Sequence, residues 1–270
     1  MSGAAEVERA IRSALAPGGL GRPLVVLDSC SSTMDEARAR LAAGAGPGLV
    51  VMALEQTAGR GRQGRTFVSP RGGLYLTAAL RPPADPAIAW RLGFAAALAA
   101  RDAVAAAGGP ALGFEWPNDL VLAGRKVGGI LAEFLGRAGP RGEPIVLAGI
   151  GLNVGPDPRV LDAGRAGLAG PIPFAEPERA LPAVAAALLD ALRGWSEAVG
   201  DEAGWTDALE SVRATSAAPH GAPVRIREPD GRVIEGAGEG IRDDGALLVR
   251  LADGANGRVV AVRYGERLWG

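Results

Sequence analysis

E-Q-T-A-G-R-G-R-Q-G-R, Glu55 to Arg65, lies between two apolar runs, Leu49 to Leu54 and Gly72 to Leu80. Residues 59–65 alternate three glycines with three arginines around one glutamine. Such a segment cannot bury a core face, and it presents planar guanidinium forks on a backbone with little Cβ bulk. The stretch therefore suits the holding of phosphate or carboxylate oxygens, each charge-assisted contact being worth about 1.5–3 kcal/mol where water is excluded. The same composition also suits a mobile surface loop in an Arg-rich chain. Its position at the end of a buried strand is where α/β sheets place binding loops.

Working outward, 270 residues at 48 % hydrophobic content give room for one large folded unit and one small one. No apolar run approaches the roughly 18 residues of a membrane span, and Met1 to Leu20 carries Glu6, Glu8, Arg9 and Arg12, so neither anchor nor signal peptide is expected and the cytoplasm is the expected compartment. One cysteine, Cys30, and one histidine, His220, exclude an internal disulfide and disfavour His/Cys metal clusters and His-assisted nucleophiles. A net charge of −1 argues against a nucleic-acid partner, which calls for a broad basic surface. Among the 29 basic residues only one is a lysine, Lys126. Where arginine serves every other cationic position, a compact ammonium on a flexible stem points to a task a planar fork cannot do.

Periodicity and turn signals give an α/β (α+β) chain. A helix over 5–16 precedes a strand at Leu24–Leu27. Ser32 and Thr33 then stand at the start of a helix reaching Ala43; the cap role is the favoured reading, and a polar-ligand site at the helix start is the other. Strands follow at Leu49–Leu54 and Tyr75–Leu80, then a helix from Pro86 to Ala107 whose Trp90 and Phe94 read as core. In F-E-W-P-N-D-L-V-L-A-G-R-K-V-G-G-I-L-A-E-F the strands Leu120–Leu122 and Val127–Phe134 join at Ala123-Gly124-Arg125, which puts Lys126 at a strand start. Asn118 reads as a turn residue; Asp119 is open to an arginine, to Lys126 or to a magnesium-bound phosphate. Ile145–Val154 is a strand whose Gly149 and Gly151 suit either close packing or a flat group laid on the sheet. After a Pro/Gly-rich connection from Pro156 to Pro177 come helices at Glu178–Val199, interrupted or offset by Pro182, and Asp201–Val212. From His220 onward short alternating runs between Pro229-Asp230-Gly231, Asp243-Asp244-Gly245 and Asp253-Gly254 describe a small all-β barrel.

Taken in order, S-S-T-M, E-Q-T-A-G-R-G-R-Q-G-R, W-P-N-D-L, G-R-K-V-G-G-I-L-A-E and G-I-G-L-N-V, followed by a small β unit, resemble the biotin protein ligase family from about Leu24 onward. The resemblance implies a mixed sheet packed with helices over 1–215, as in class II synthetase-like biotin and lipoate ligases, and an SH3-like barrel over 220–270. It implies activation of biotin by ATP, with Mg2+, to biotinyl-5'-AMP and transfer to one lysine of a biotin carboxyl carrier domain. By the same resemblance Ser32, Thr33, Met34, Gln56, Arg60, Gly61, Arg62 and Lys126 would surround biotin, with Lys126, Arg60 and Arg62 catalytic. Gly59, Arg62, Arg65, Asn118, Asp119 and Asn153 would meet ATP or the adenylate. No metal ligand is assigned, Asp119 being the one candidate. The expected partner is the carrier domain, with no nucleic acid and no membrane, and the chain is expected to be a monomer or homodimer.

Two departures stand out. Many relatives carry lysine before W-P-N-D-L, where this chain has Glu115; either Glu115 points away or it pairs with a loop arginine. Some relatives begin with a helix-turn-helix, for which some twenty residues leave no room, so operator binding is not expected. Rival readings are a lipoate or octanoyl ligase, a binding-only relative that lost catalysis through Glu115, and an RNA-binding module. The last lacks aromatics interleaved with its arginines.

Overall fold

The computed structural model describes residues 3–83, 85–138, 140–155, 171–216, 220–252 and 257–268. Seven strands form one sheet: β1 (Leu24–Leu27), β2 (Val50–Ala53), β3 (Leu74–Leu80), β4 (Gly113–Glu115), β5 (Asp119–Leu122), β6 (Arg125–Arg137) and β7 (Pro144–Leu152). Their order is β1-β2-β3-β7-β6-β5-β4, parallel only between β1 and β2. β2 and β3 are buried along their whole length because both faces of the sheet are covered, which is why they read as continuous apolar runs. Alternate residues sort to the two faces. Val51, Ala79 and Leu147 pack under α2 (Thr33–Ala42), whereas Val50, Met52, Leu76, Ala78 and Ile150 join the larger core.

That larger core is made with α1 (Ala4–Ala14), α3 (Arg91–Ala106), α4 (Pro177–Ala198) and α5 (Glu202–Ala214). Eight alanines and one glycine let α3 pack closely against α4 and over β6 and β7 while burying most of its circumference. The helix read over 86–107 is divided: a single tight turn at Pro86–Ile88, opened by the Asp85 carboxylate on the Ala87 amide, precedes α3. α4 runs unbroken through Pro182, contrary to the sequence expectation. The proline lies near the helix start, so it forfeits one early bond, and burial of Val184, Ala185, Leu188, Leu189 and Leu192 beyond it holds the helix.

β8 (Pro223–Arg227), β9 (Val233–Ile241), β10 (Leu247–Leu251), β11 (Val259–Val262) and β12 (Glu266–Arg267) form a second, antiparallel sheet in the order β11-β10-β9-β8-β12. Among the described pairings it is open, with β11 and β12 at its edges, and it forms the small all-β unit that the sequence suggested as a barrel. β4, three residues long, carries too little pattern to be read from sequence and was not expected. The connection over 156–170 and the turn at 253–254 lie outside the described residues. No described helix is long and apolar enough to cross a membrane.

The second sheet shares the apolar core of the first through Val224, Ile226, Ile241, Leu247, Val249 and Val262. Two indoles fix its position: Trp116 Nε1 donates to the Gly245 carbonyl at 3.0 Å, and Trp205 Nε1 to the Asp243 carbonyl at 2.8 Å. Arg213 adds a bond from Nε to the Ile241 carbonyl and one from Nη2 to Asp243. Gly245, at φ +76°, has no room for a Cβ, which would lie 2.5 Å from the Trp90 ring. Trp116→Phe leaves the Gly245 carbonyl without its buried donor, and a loss of about 1–3 kcal/mol is expected in chemical denaturation. Unchanged stability would show that water or a shifted neighbour replaces the indole.

Candidate active site

The Arg-Gly stretch folds back on itself as a hairpin, with Arg60 bridged to Thr66. Phe67 N–H donates to the Gly59 carbonyl at 2.8 Å and Gly61 N–H to the Arg65 carbonyl at 2.7 Å, while Gln63 and Gly64 turn the tip at φ +56° and +73°. Gly59 is required at the base of the hairpin, since a Cβ there would sit 2.4 Å from the Phe67 carbonyl oxygen. The hairpin leans over a cleft of about 550 Å³. Its floor is the glycine-bearing middle of β6 and β7, and its walls are the start of α2, the Pro117–Asp119 bend and Gly265–Arg267 of the second sheet.

The cleft brings together Ser32, Thr33, Met34, Gln56, Arg60, Gly61, Arg62, Arg65, Asn118, Asp119, Lys126 and Asn153. Gly59 is the one expected site residue not in its lining. Phe67, Tyr75, Glu266 and Arg267 also line it and were not singled out from sequence. Phe67 lies over the floor: a Cβ on Gly151 would come within 2.6 Å of its ring, and one on Gly149 within 3.0 Å of the Met34 sulfur. The space those glycines leave is thus used by the chain's own side chains, and the ring of Phe67 forms one apolar wall.

At one end polar side chains converge on the start of α2. The favoured capping reading of Ser32 and Thr33 does not hold: the Ser32 side chain makes no cap bond, and its buried hydroxyl has no partner. Thr33 N–H donates to Gln56 Oε1 at 2.8 Å, and its hydroxyl meets Gln56 Oε1 at 3.1 Å and the Thr77 hydroxyl at 2.9 Å. Gln56 Nε2 donates to Ser69 Oγ at 2.9 Å, whose own proton goes to the Phe67 carbonyl. This chain fixes the orientation of the Gln56 amide, because the backbone N–H of Thr33 can only meet an acceptor. An unsatisfied hydroxyl beside an oriented amide suits a small polar ligand group.

Along the rest of the cleft run five cations, and four have carboxylate partners from elsewhere in the chain. Arg60 meets Asp35 of α2 at 2.7 Å, Lys126 Nζ donates to Asp119 at 2.5 Å, Arg65 pairs with Glu266, and Arg267 with Glu115. Arg62 has a neutral partner, Asn118 Oδ1 at 3.2 Å, and Asn118 is itself held by its Nδ2 on the Ile130 carbonyl. Burial pulls the Arg62 guanidinium below its ordinary value; Asp119 and Glu266 oppose this and Arg65 adds to it. Of the two courses open to Glu115 the structure takes the first: it stays out of the cleft lining, buried against Arg267 of β12, and is not bound to a loop arginine. Among the described residues no group of three or more His, Cys, Asp or Glu is placed to hold a metal.

A glycine-floored cleft on a mixed sheet, lined by convergent cations with an oriented amide at one end, defines a binding site for a small anionic ligand together with a phosphate-bearing one. Residues 26–148 match the Biotin/lipoate A/B protein ligase family and residues 220–266 the Biotin protein ligase C terminal domain. The chain is 36 % identical to the biotin--[acetyl-CoA-carboxylase] ligase of Mycobacterium tuberculosis over 96 % of its length and 94 % of that protein. It is 38 % identical to the corresponding ligase of Paracoccus denitrificans over 78 % of its length and 88 % of that protein. Its fold is similar to that of the biotin protein ligase of Aquifex aeolicus, solved with biotin and ATP, at a TM-score of 0.67 and 22 % identity, covering 90 % of this chain and 97 % of that one. The chain belongs to the biotin protein ligase family.

Cys30, bridged to Gln56 near this end of the cleft, is a weak nucleophile at neutral pH: burial, then Glu36 and Asp35, push its thiol up to about 11. Only the thiolate alkylates, so iodoacetamide at pH 8 is expected to label Cys30 about a hundredfold more slowly than a free cysteine of pKa ~8.5, the rate climbing as pH rises. Labelling within threefold of free cysteine would contradict this.

Proposed function

We propose that the cleft joins biotin to ATP and that the product, biotinyl-5'-AMP, passes its acyl group to a lysine of a biotin carboxyl carrier domain. The observation that carries this reading is the meeting of Lys126, the chain's single lysine, with Arg62 in one cleft whose other end holds an unpartnered hydroxyl and an oriented amide. Ser32 and Gln56 suit the ureido group, which offers both a carbonyl acceptor and N–H donors. Met34 and Phe67 suit its apolar rings, and the arginines and lysine suit the carboxylate and phosphates.

Adenylation forms a bond between a biotin carboxylate oxygen and the α-phosphorus as the bond to the pyrophosphate oxygen breaks. Both reactants are anions, so the protein's part is to bring them together and to offset charge on the transferring phosphoryl group. Lys126 leaves Asp119 to meet those oxygens, a role for a compact charge on a flexible stem. Arg62, already partly desolvated, changes an amide oxygen for a ligand oxygen. Arg60 and Gly61 close the hairpin over the anhydride and keep water from it. Arg65, Asn118 and Asn153 line the nucleotide side, and Gly59 acts there only by shaping the hairpin. In the second step the carrier's lysine amine attacks the acyl carbon, AMP leaves with the bonding electrons, and the amine loses a proton.

Magnesium, when bound with ATP, offsets charge on the departing pyrophosphate. Asp119 and Glu266 are cleft carboxylates of the hard oxygen type that would hold it, with nucleotide phosphates and water supplying the remaining ligands. Residues 1–215 act as the catalytic unit and 220–270 as a C-terminal unit that contributes one wall. The reaction belongs in the cytoplasm, where ATP and the carrier are met, and requires neither nucleic acid nor membrane.

With ATP and magnesium, pyrophosphate release is expected to depend on biotin and to be negligible with lipoate. Lys126→Ala is expected to lower it by at least about a hundredfold, as for loss of one strong transition-state contact, with the melting temperature unchanged within error. Release without biotin, or near-normal turnover in the variant, would overturn the reading.

A further inference from the structure

β4 is the edge of the seven-stranded sheet, and its register sets Glu115 directly opposite Asp119 of β5. Opposed residues on neighbouring strands have Cβ atoms about 4.5–5.5 Å apart, and like charges so placed repel. Glu115 is 3 % exposed and Asp119 only partly exposed within the cleft, so water screens their repulsion weakly. Each carboxylate is instead matched by a cation on its outer side, Lys126 on Asp119 and Arg267 on Glu115. The result is a row of four charges, Arg267, Glu115, Asp119 and Lys126, reaching from the second sheet to the lysine. Arg267 is held in place by its own strand pairing with Ile226 and by a bond from Nη2 to the Pro223 carbonyl at 3.4 Å.

Lys126 leaves Asp119 in order to act, and Asp119 then faces Glu115 without the lysine. We infer that Arg267 is a positioning residue for adenylation: by neutralising Glu115 from the C-terminal sheet it leaves Lys126 bound by one carboxylate, not two, and free to transfer to ligand oxygens. Without the guanidinium, Glu115 adds an unmatched negative charge across from the Asp119–Lys126 pair and holds the lysine back. Docking of the second sheet does not require a charge here, because Trp116, Trp205 and Arg213 already fix it and apolar residues fill the seam. A buried pair that served attachment alone would be replaceable by apolar side chains with little loss. Its place at the end of the Asp119–Lys126 row is what gives it a further role.

This inference rests on the role of Lys126 proposed above, and the experiment separates the two. Biotin-dependent exchange of labelled pyrophosphate into ATP is measured, with kcat, KM for biotin and thermal midpoint, for the full chain and for Lys126→Ala, Arg267→Met and the double variant Glu115→Gln with Arg267→Met. Arg267→Met is expected to lose about tenfold or more in kcat, the effect of one added charge contact on the lysine, with biotin KM within about twofold. The double variant is expected to regain kcat to within about threefold of the parent, because no carboxylate is left to compensate. A double variant as slow as Arg267→Met, or Arg267→Met with the parent's kcat, overturns the inference. Should Arg267→Met fail to fold, the double variant alone decides: parental kcat supports the role, a tenfold deficit overturns it. Full activity in Lys126→Ala would instead overturn the earlier reading of the lysine.

Discussion

Five like charges cannot share one cleft without counter-charges. At a separation of about 4 Å and an effective dielectric near 20, two unit charges repel by about 4 kcal/mol, so a group of them would open the fold around itself. The chain meets this with acids drawn from separate elements: Asp35 from α2, Asp119 from β5, Glu115 from β4 and Glu266 from β12. On the proposed reading Lys126 exchanges Asp119 for ligand oxygens, whereas Glu115, which lies outside the cleft lining, keeps Arg267. Two of the pairs join the hairpin to other elements, Arg60 to α2 and Arg65 to β12.

Close packing beneath the cations sets the other boundary. β6 and β7 approach the cleft through Gly128, Gly129, Gly149 and Gly151, and a Cβ at Gly128 or Gly151 would lie within 2.7 Å of a neighbour. A floor of this kind lets Phe67 and Met34 lie close against the backbone, with the polar chain Thr33–Gln56–Ser69 beside them. Apolar rings and a fixed amide at one end, and charge at the other, give the cleft a direction, which on the proposed reading would align a carboxylate with an incoming phosphate.

Much of this frame is local and was legible in the chain. β1, β2, β3 and the β5–β6 hairpin are short apolar runs bounded by turn residues, with Ala123 and Gly124 at φ +49° and +74° making the turn their sequence calls for. Lys126 stood out because it is the sole lysine, and the order of motifs placed it beside the Arg-Gly hairpin. What stayed hidden depends on distant partners. Nothing near Glu115 points to Arg267, 152 residues away; nothing near Ser32 shows that its hydroxyl would be buried without a bond; and Phe67 acquires its place only once β7 supplies Gly151. Pro182 misled for a related reason, since tertiary burial of the helix beyond it outweighed a local signal.

The central claim is that Asp119 and Asn118 stand in for ligand oxygens and release Lys126 and Arg62 to them. A crystal structure with biotinyl-5'-AMP bound tests it most directly. Lys126 Nζ is expected to lie within about 3 Å of a phosphate or acyl oxygen, no longer on Asp119, with Arg62 moved from Asn118 to the ligand and Arg267 still on Glu115. A bound adenylate with Lys126 remaining on Asp119 and Arg62 remaining on Asn118 would contradict the account.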